Sequence, residues 1–390
     1  MKTFKYALCA IGTALVLAGC GGGGDGGSSP NISLRVNNVK VVGDSIADSG
    51  TFGFKFSMQG SATEPMLIWT ERIAAAYGAP ALCPRYAATS ATTVVPNPAT
   101  AGCNSYAVGG GRINLPTAPT SPLSIPQQLK DLGAEKTYAG NDLLLVDGGG
   151  NDAADLTGAF LGIPADRGAA FSALVSTLVP SATVSAQLAT GTAGAVNLGG
   201  LYMTALADKM YDAVKTSALD RGAPRVLVLN IPGITNTPRF LDTLDLVARA
   251  NGGGTAGATA RAQTDAVIRG WIVTFNQRLA SRFAGNTNVA VVDFYTFFND
   301  QAANPAKYGL TNVRTPACPV QSIGADGLAV YNAQTCTTTS LSATPPPAGA
   351  TGGANWWRTY AFSDGFHPTQ YGYQLLADQV TISLRAAGWL

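Results

Sequence analysis

Five short apolar runs, at residues 39–42, 104–108, 142–147, 225–229 and 289–294, punctuate the first three quarters of this 390-residue chain. The first is interrupted only by Lys40, and the third reads Leu-Leu-Leu-Val between two aspartates. Continuous runs of this length are typical of strands buried on both faces of a parallel sheet. Helical periodicity falls between and after them, at 66–77, 125–132, 201–219, 258–283 and 370–387. Strands alternating with helices require crossover connections. The expectation is therefore an α/β fold: a doubly wound, five-stranded parallel sheet in a three-layer helix–sheet–helix sandwich.

In such sheets ligands bind beyond the carboxyl ends of the strands. Those ends are where this chain is chemically unusual. The first run stops at Gly43-Asp44-Ser45, which predicts a tight turn and then the start of a helix, with a serine exposed on it. The second ends in Gly109-Gly110-Gly111, and the third in Gly148-Gly149-Gly150-Asn151-Asp152. Just before the last helix comes Asp364-Gly365-Phe366-His367-Pro368, which holds the only histidine of the chain. Taken singly, these read as a helix cap, a glycine turn and an Asx turn. Together at strand ends they supply a nucleophile, a base and an orienting carboxylate in Ser45, His367 and Asp364. They also supply oxyanion donors in the N–H groups of Ser45 and Gly110 and the side-chain amide of Asn151. The glycine run leaves open which of Gly109, Gly110 and Gly111 donates.

The remaining composition narrows the alternatives. With 46% hydrophobic and 12% charged residues the chain is not disordered. A net charge of +2 without a basic cluster gives no support for nucleic-acid binding. One histidine and no CxxC spacing argue against a metal site, and nothing implies a cofactor.

Residues 1–19 read as an export signal: Lys2 and Lys5 precede a short apolar run that ends in Leu17-Ala18-Gly19-Cys20. That ending resembles a bacterial lipobox, which implies cleavage before Cys20 and a lipid anchor on it. A plain secretory cleavage site is the alternative, and the Gly/Ser-rich tether over 20–37 favours the lipoprotein. Gly21 in place of Asp favours the outer membrane over the inner. Of the cysteines left in the mature chain, Cys83, Cys103, Cys318 and Cys336, proximity favours the pairs Cys83–Cys103 and Cys318–Cys336.

In their order along the chain, Gly43-Asp44-Ser45, Gly110, Gly149-Gly150-Asn151-Asp152 and Asp364-Gly365-Phe366-His367 resemble the four blocks of the GDSL or SGNH hydrolases. The stretch from Asn230-Ile231-Pro232 to Thr237-Pro238 is similar to the Pro-containing loop of that family. Residues 308–318 resemble the branch holding autotransporter esterases, secreted bacterial lipases and plant GDSL lipases. The resemblance covers most of 38–390 and implies a flavodoxin-like fold. By composition, 155–200, rich in Ala, Gly, Thr and Ser, and the long polar stretch 299–360 read as possible cap or loop insertions. The resemblance further implies Ser45 as nucleophile, His367 as base, Asp364 as its partner, and Gly110 and Asn151 as oxyanion donors. The expected substrate is a small-molecule or lipid carboxylic ester. A surface lipoprotein that binds a ligand without turnover is the alternative, and turnover of a chromogenic ester separates the two.

Overall fold

The computed structural model describes residues 35–390. The export signal, Cys20 and most of the tether lie outside the described residues. Four strands, β1 (Asn38–Val42), β2 (Asp142–Val146), β3 (Val226–Leu229) and β4 (Val289–Val292), are hydrogen-bonded in that order, all parallel. Their registers align the carboxyl ends: Val42 lies opposite Val146, and Val146 opposite Val228. Gly43 and Asp147 therefore leave the sheet side by side, with Asn230 one residue further along β3.

The sheet has four strands, not the expected five. Segment 104–108 does lie along the free edge of β1. Val41 N–H donates to Asn104 O at 2.9 Å, and Tyr106 N–H donates to Val41 O at 2.7 Å. Only one parallel bridge to β1 results, at Ser105, although Val108 N–H reaches on to Gly43 O at 3.1 Å. Ser105 O is meanwhile taken by Arg85 N–H from the neighbouring loop.

Strand side chains alternate between two cores, as period 2 requires. On one face Val42, Leu144, Val146, Val226 and Val228 meet helices α2 (Ile125–Glu135), α4 (Thr192–Ser217) and α6 (Gly254–Phe283). On the other Val39, Val41, Leu143, Leu145 and Leu227 meet α1 (Trp69–Ala76), α7 (Phe294–Ala303) and α8 (Gln370–Ala386). Lys40, the one charge inside β1, is buried and paired with buried Asp142 at 2.5 Å. The three-layer sandwich is thus present.

Several elements differ from expectation. No helix follows Ser45. A single turn closes with Ala47 N–H on Asp44 O, and then the Asp48 carboxylate captures the N–H groups of Gly50 and Thr51, which would have continued a helix. The region 155–200 is helical: α3 (Gly150–Leu161) is followed by Ile163–Asp166, Ala169–Val175 and Ser181–Leu188. α4 starts at Thr192, before the Gly199-Gly200 pair that conceals it in the sequence. The Trp271 ring fills the space where a Gly199 Cβ would sit. Helix α5 (Pro238–Ala250) follows the Pro-containing loop. The fifth apolar run ends as a strand at Val292, because Asp293 caps α7 by accepting from Thr296 N–H. Residues 299–360 build a small core of their own around Met58, Leu341, Trp356 and Trp357. The disulfides are Cys83–Cys103 and Cys318–Cys336, as expected.

Candidate active site

Gly43 begins the site. Its φ of +154° turns the chain out of β1, and an added Cβ would land on the Asp147 carboxyl group, so only glycine fits. Its N–H is held by Gln128 Oε1 at 2.8 Å, from α2. The turn presents Ser45 at the carboxyl edge of the sheet. His367 arrives from the opposite end of the chain, and its Nε2 lies 2.8 Å from Ser45 Oγ. The Asp364 carboxylate grips the other ring nitrogen, with Oδ2 at 2.8 Å and Oδ1 at 3.0 Å from Nδ1. Asp364 Oδ1 also accepts the N–H groups of Phe366 and His367, both at 2.8 Å. With Nδ1 donating to Asp364, Nε2 is left to accept the serine proton, which is how such a chain activates a hydroxyl.

The loop bearing His367 is fixed on several sides. His367 O accepts from Ser363 N–H at 2.8 Å, and Pro368 O accepts from Ser57 Oγ at 2.7 Å. Thr369 then caps α8 by accepting from Gly372 N–H. The Phe56 ring lies 5.1 Å from the imidazole, centroid to centroid.

Burial pushes Asp364 up, but the charge of His367 and the three hydrogen bonds outweigh it and hold the carboxyl below its usual range. Burial likewise pushes His367 down. The Asp364 charge and hydrogen bond, with a further contribution from Asp44, outweigh that and leave the imidazole above its ordinary value.

The glycine run separates into three distinct positions. Gly109 N–H donates to Asp48 Oδ2 at 2.8 Å, and Gly111 N–H to Val108 O at 2.9 Å. Gly110, at a left-handed φ of +79°, is the one of the three whose N–H meets no acceptor among the described residues, and it borders the cavity over Ser45. Asn151 sits in the first turn of α3 and borders the same cavity. Its Nδ2 donates to Gly111 O at 3.0 Å and makes a long 3.5 Å contact with Asp44 Oδ2. All five residues expected from the sequence, Ser45, Gly110, Asn151, Asp364 and His367, thus border one cavity or hold a residue that does.

Three acidic side chains brace this arrangement, and the sequence alone gives none of them that role. Asp48, fully buried, ties the serine turn to Gly109. Asp152 accepts Ile113 N–H at 2.9 Å and Asn114 N–H at 2.8 Å, anchoring the segment after the glycine run to the start of α3. Burial pushes its pKa up to about 7 against those two hydrogen bonds. Asp147 Oδ1 accepts Asp44 N–H at 3.2 Å. Asp147 is driven well above the usual carboxylate range by burial first and by the Asp44 charge second. The signal for these braces was their position within three residues of a glycine, a serine or an asparagine at a strand end. Each also reads as an ordinary turn aspartate.

The fold and this edge of the sheet define an α/β protein with a polar site built from loops at the strand ends. The family model for GDSL-like Lipase/Acylhydrolase matches residues 39–380, and the chain belongs to that family. It is accordingly a hydrolase of the kind that acts on esters. No curated protein matches the chain.

Proposed function

We propose that the chain is a serine esterase that cleaves carboxylic esters through an acyl-enzyme. The observation that carries this reading is the continuous hydrogen-bonded line from Asp364 through His367 to Ser45, with 2.8 Å at each junction. Ser45 Oγ attacks the ester carbonyl carbon while His367 Nε2 takes its proton. The carbonyl oxygen becomes an oxyanion held by the N–H groups of Ser45 and Gly110 and the amide of Asn151. The C–O bond to the alcohol breaks, and the departing oxygen takes the proton back from Nε2. Water then attacks the acyl-serine, again giving its proton to His367, and Ser45 leaves with that proton as the acid is released. Asp364 stays ionised throughout and stabilises the imidazolium.

The test is direct. Purified enzyme should hydrolyse a chromogenic acetate or butyrate ester and be covalently labelled by a fluorophosphonate, with the mass increase on the peptide bearing Ser45. Ser45→Ala should lose both. Hydrolysis that survives in Ser45→Ala would remove the acyl-enzyme reading. The further reading, from the lipobox-like ending and the tether, is a mature protein anchored through lipid on Cys20, at the outer membrane of a cell with two membranes.

A further inference from the structure

The cavity over Ser45 does not close. It has a volume of about 290 Å³ and an inner wall of Leu229, Pro232, Ile234, Phe294 and Phe298. Beyond it runs a groove of about 1300 Å³ between α3 and the helices after it on one side and α5 and α6 on the other. Four residues belong to both: Asn151, Ala154, Phe240 and Phe366. Phe240 and Phe366 stack edge to face, 6.1 Å apart, and form the threshold. Past it the groove walls are mostly apolar, with Leu161, Ile163, Leu188, Val196, Leu246 and Val267, interrupted by threonines, Gln263 and Arg167. Its charged residues include two that pair with each other, Arg112 with Asp155. Arg239 and Asp326 form a second such pair.

Ligand cavities generally run from roughly 300 to 1,000 Å³. The space over Ser45 stands at the bottom of that range, enough for a compact group, whereas the groove exceeds its top. A mostly apolar channel of that size, with Asn151 at its entrance, suits a flexible hydrocarbon better than a polar ligand. Resting on the reading of Ser45 above, we propose that the groove binds the long apolar arm of an ester whose other arm is compact, and that the preferred substrates are long-chain esters. The hydrocarbon common to a fatty acyl chain and a fatty alcohol is what the walls recognise.

Gly158 offers a clean probe. It lies in α3 on the groove wall, with helical backbone, and nothing lies within 4 Å of the place a Cβ would take. Gly158→Phe therefore fills the groove without a clash at its base, and Thr264→Trp adds bulk to the opposite wall, on α6. Two substrate series are compared: p-nitrophenyl esters from acetate to palmitate, and acetate esters from ethanol to dodecanol. In wild type kcat/KM should rise with chain length in one series, which tells whether the long arm is acyl or alcohol. In both variants the ratio of long-chain to short-chain kcat/KM should fall roughly tenfold or more, because several buried methylenes are displaced. Loss of folded enzyme lowers both substrates together and leaves that ratio alone. An unchanged ratio in both series, with short esters still cleaved, would overturn the groove assignment and leave the Ser45 reading standing. No hydrolysis of any ester by wild type would overturn the Ser45 reading and this one with it.

Discussion

On the proposed roles, His367 is under two demands that pull its charge in opposite directions. Ion pairing with Asp364 favours the imidazolium, while accepting a proton from Ser45 requires the neutral ring. Because the net shift is upward from an ordinary value of about 6.5, the base becomes competent only above that pH. Esterase activity should rise with pH through one ionisation whose midpoint lies above about 6.5 in a kcat/KM profile. Asp364→Asn removes the charge that holds the ring up. That midpoint should move to lower pH while kcat falls by as much as about 10⁴-fold, since Nδ1 is no longer held as the donor. An unmoved midpoint in Asp364→Asn would dissociate the two residues. The Asn151 amide is a second test at this scale. Asn151→Ala should lose about 10²–10³ in kcat with little change in KM, the usual cost of one oxyanion donor. Wild-type turnover in that variant would take Asn151 out of the reaction.

At the scale of elements, the serine turn, the glycine run and the start of α3 are held to one another by carboxylates rather than by sheet hydrogen bonds. Asp48 alone satisfies three backbone donors, from Gly50, Thr51 and Gly109. Asp48→Ala leaves them buried without an acceptor, at a cost of about 1–3 kcal/mol for each one that water does not reach. Denaturant unfolding of that variant should show the loss, and kcat should drop even though Asp48 touches no reacting atom. Unfolding at the wild-type midpoint would show that the turn does not depend on this clamp.

The same elements explain what could be read in advance. Strands β1 to β4 announce themselves as apolar runs because both faces are covered, and Ser45, Gly110, Asn151, Asp364 and His367 stand out because glycine and polar residues end those runs. The edge segment at 104–108 has the composition of a strand. Its carbonyl at Ser105 is taken by Arg85 N–H from a loop far from β1 in sequence, which is a tertiary fact. In the sequence Gly199-Gly200 hides the first turns of α4, and the purpose of Gly199 is visible only once Trp271 is packed against it. Asp48 and Asp152 were invisible for a related reason. A turn aspartate and a buried clamp have the same local sequence, and only the partner 39 to 61 residues away distinguishes them.

For the molecule as a whole, the buried carboxyls set how stability follows pH. Asp152, Asp44, Asp48 and Asp147 are all shifted upward, with burial the largest cause in each, and His367 is shifted upward as well. Each of these groups binds its proton more tightly in the folded state than in the unfolded one. Between about pH 5 and 8 the folded chain therefore holds more protons, and stability falls as pH rises. The thermal midpoint should decrease from pH 5 through 6.5 to 8, while esterase activity increases over the same interval. A midpoint that climbs with pH would mean these carboxyls are ionised in the folded protein. The excursion over 299–360 offers another whole-molecule test, since Ala317 and Cys318 donate their N–H groups to Phe362 and Ser363, just before the His367 loop. Replacing Cys318 and Cys336 together by alanine should cost roughly 3 kcal/mol in the chain-entropy model, read by denaturant unfolding. Turnover should weaken with it if that backing holds His367 in line. On the anchoring proposal, a clickable fatty acid fed to cells should label wild type and not Cys20→Ala.

Ser45 and His367 meet across 322 positions of sequence. One follows the first strand and the other immediately precedes the last helix, so on the proposed roles the reaction needs nearly the whole fold to be present at once. A ribosome has built the nucleophile early and supplies its base only when most of the remaining chain exists. On those roles a chain interrupted anywhere before residue 367 carries a serine that is chemically idle, and the enzyme is silent during its own synthesis.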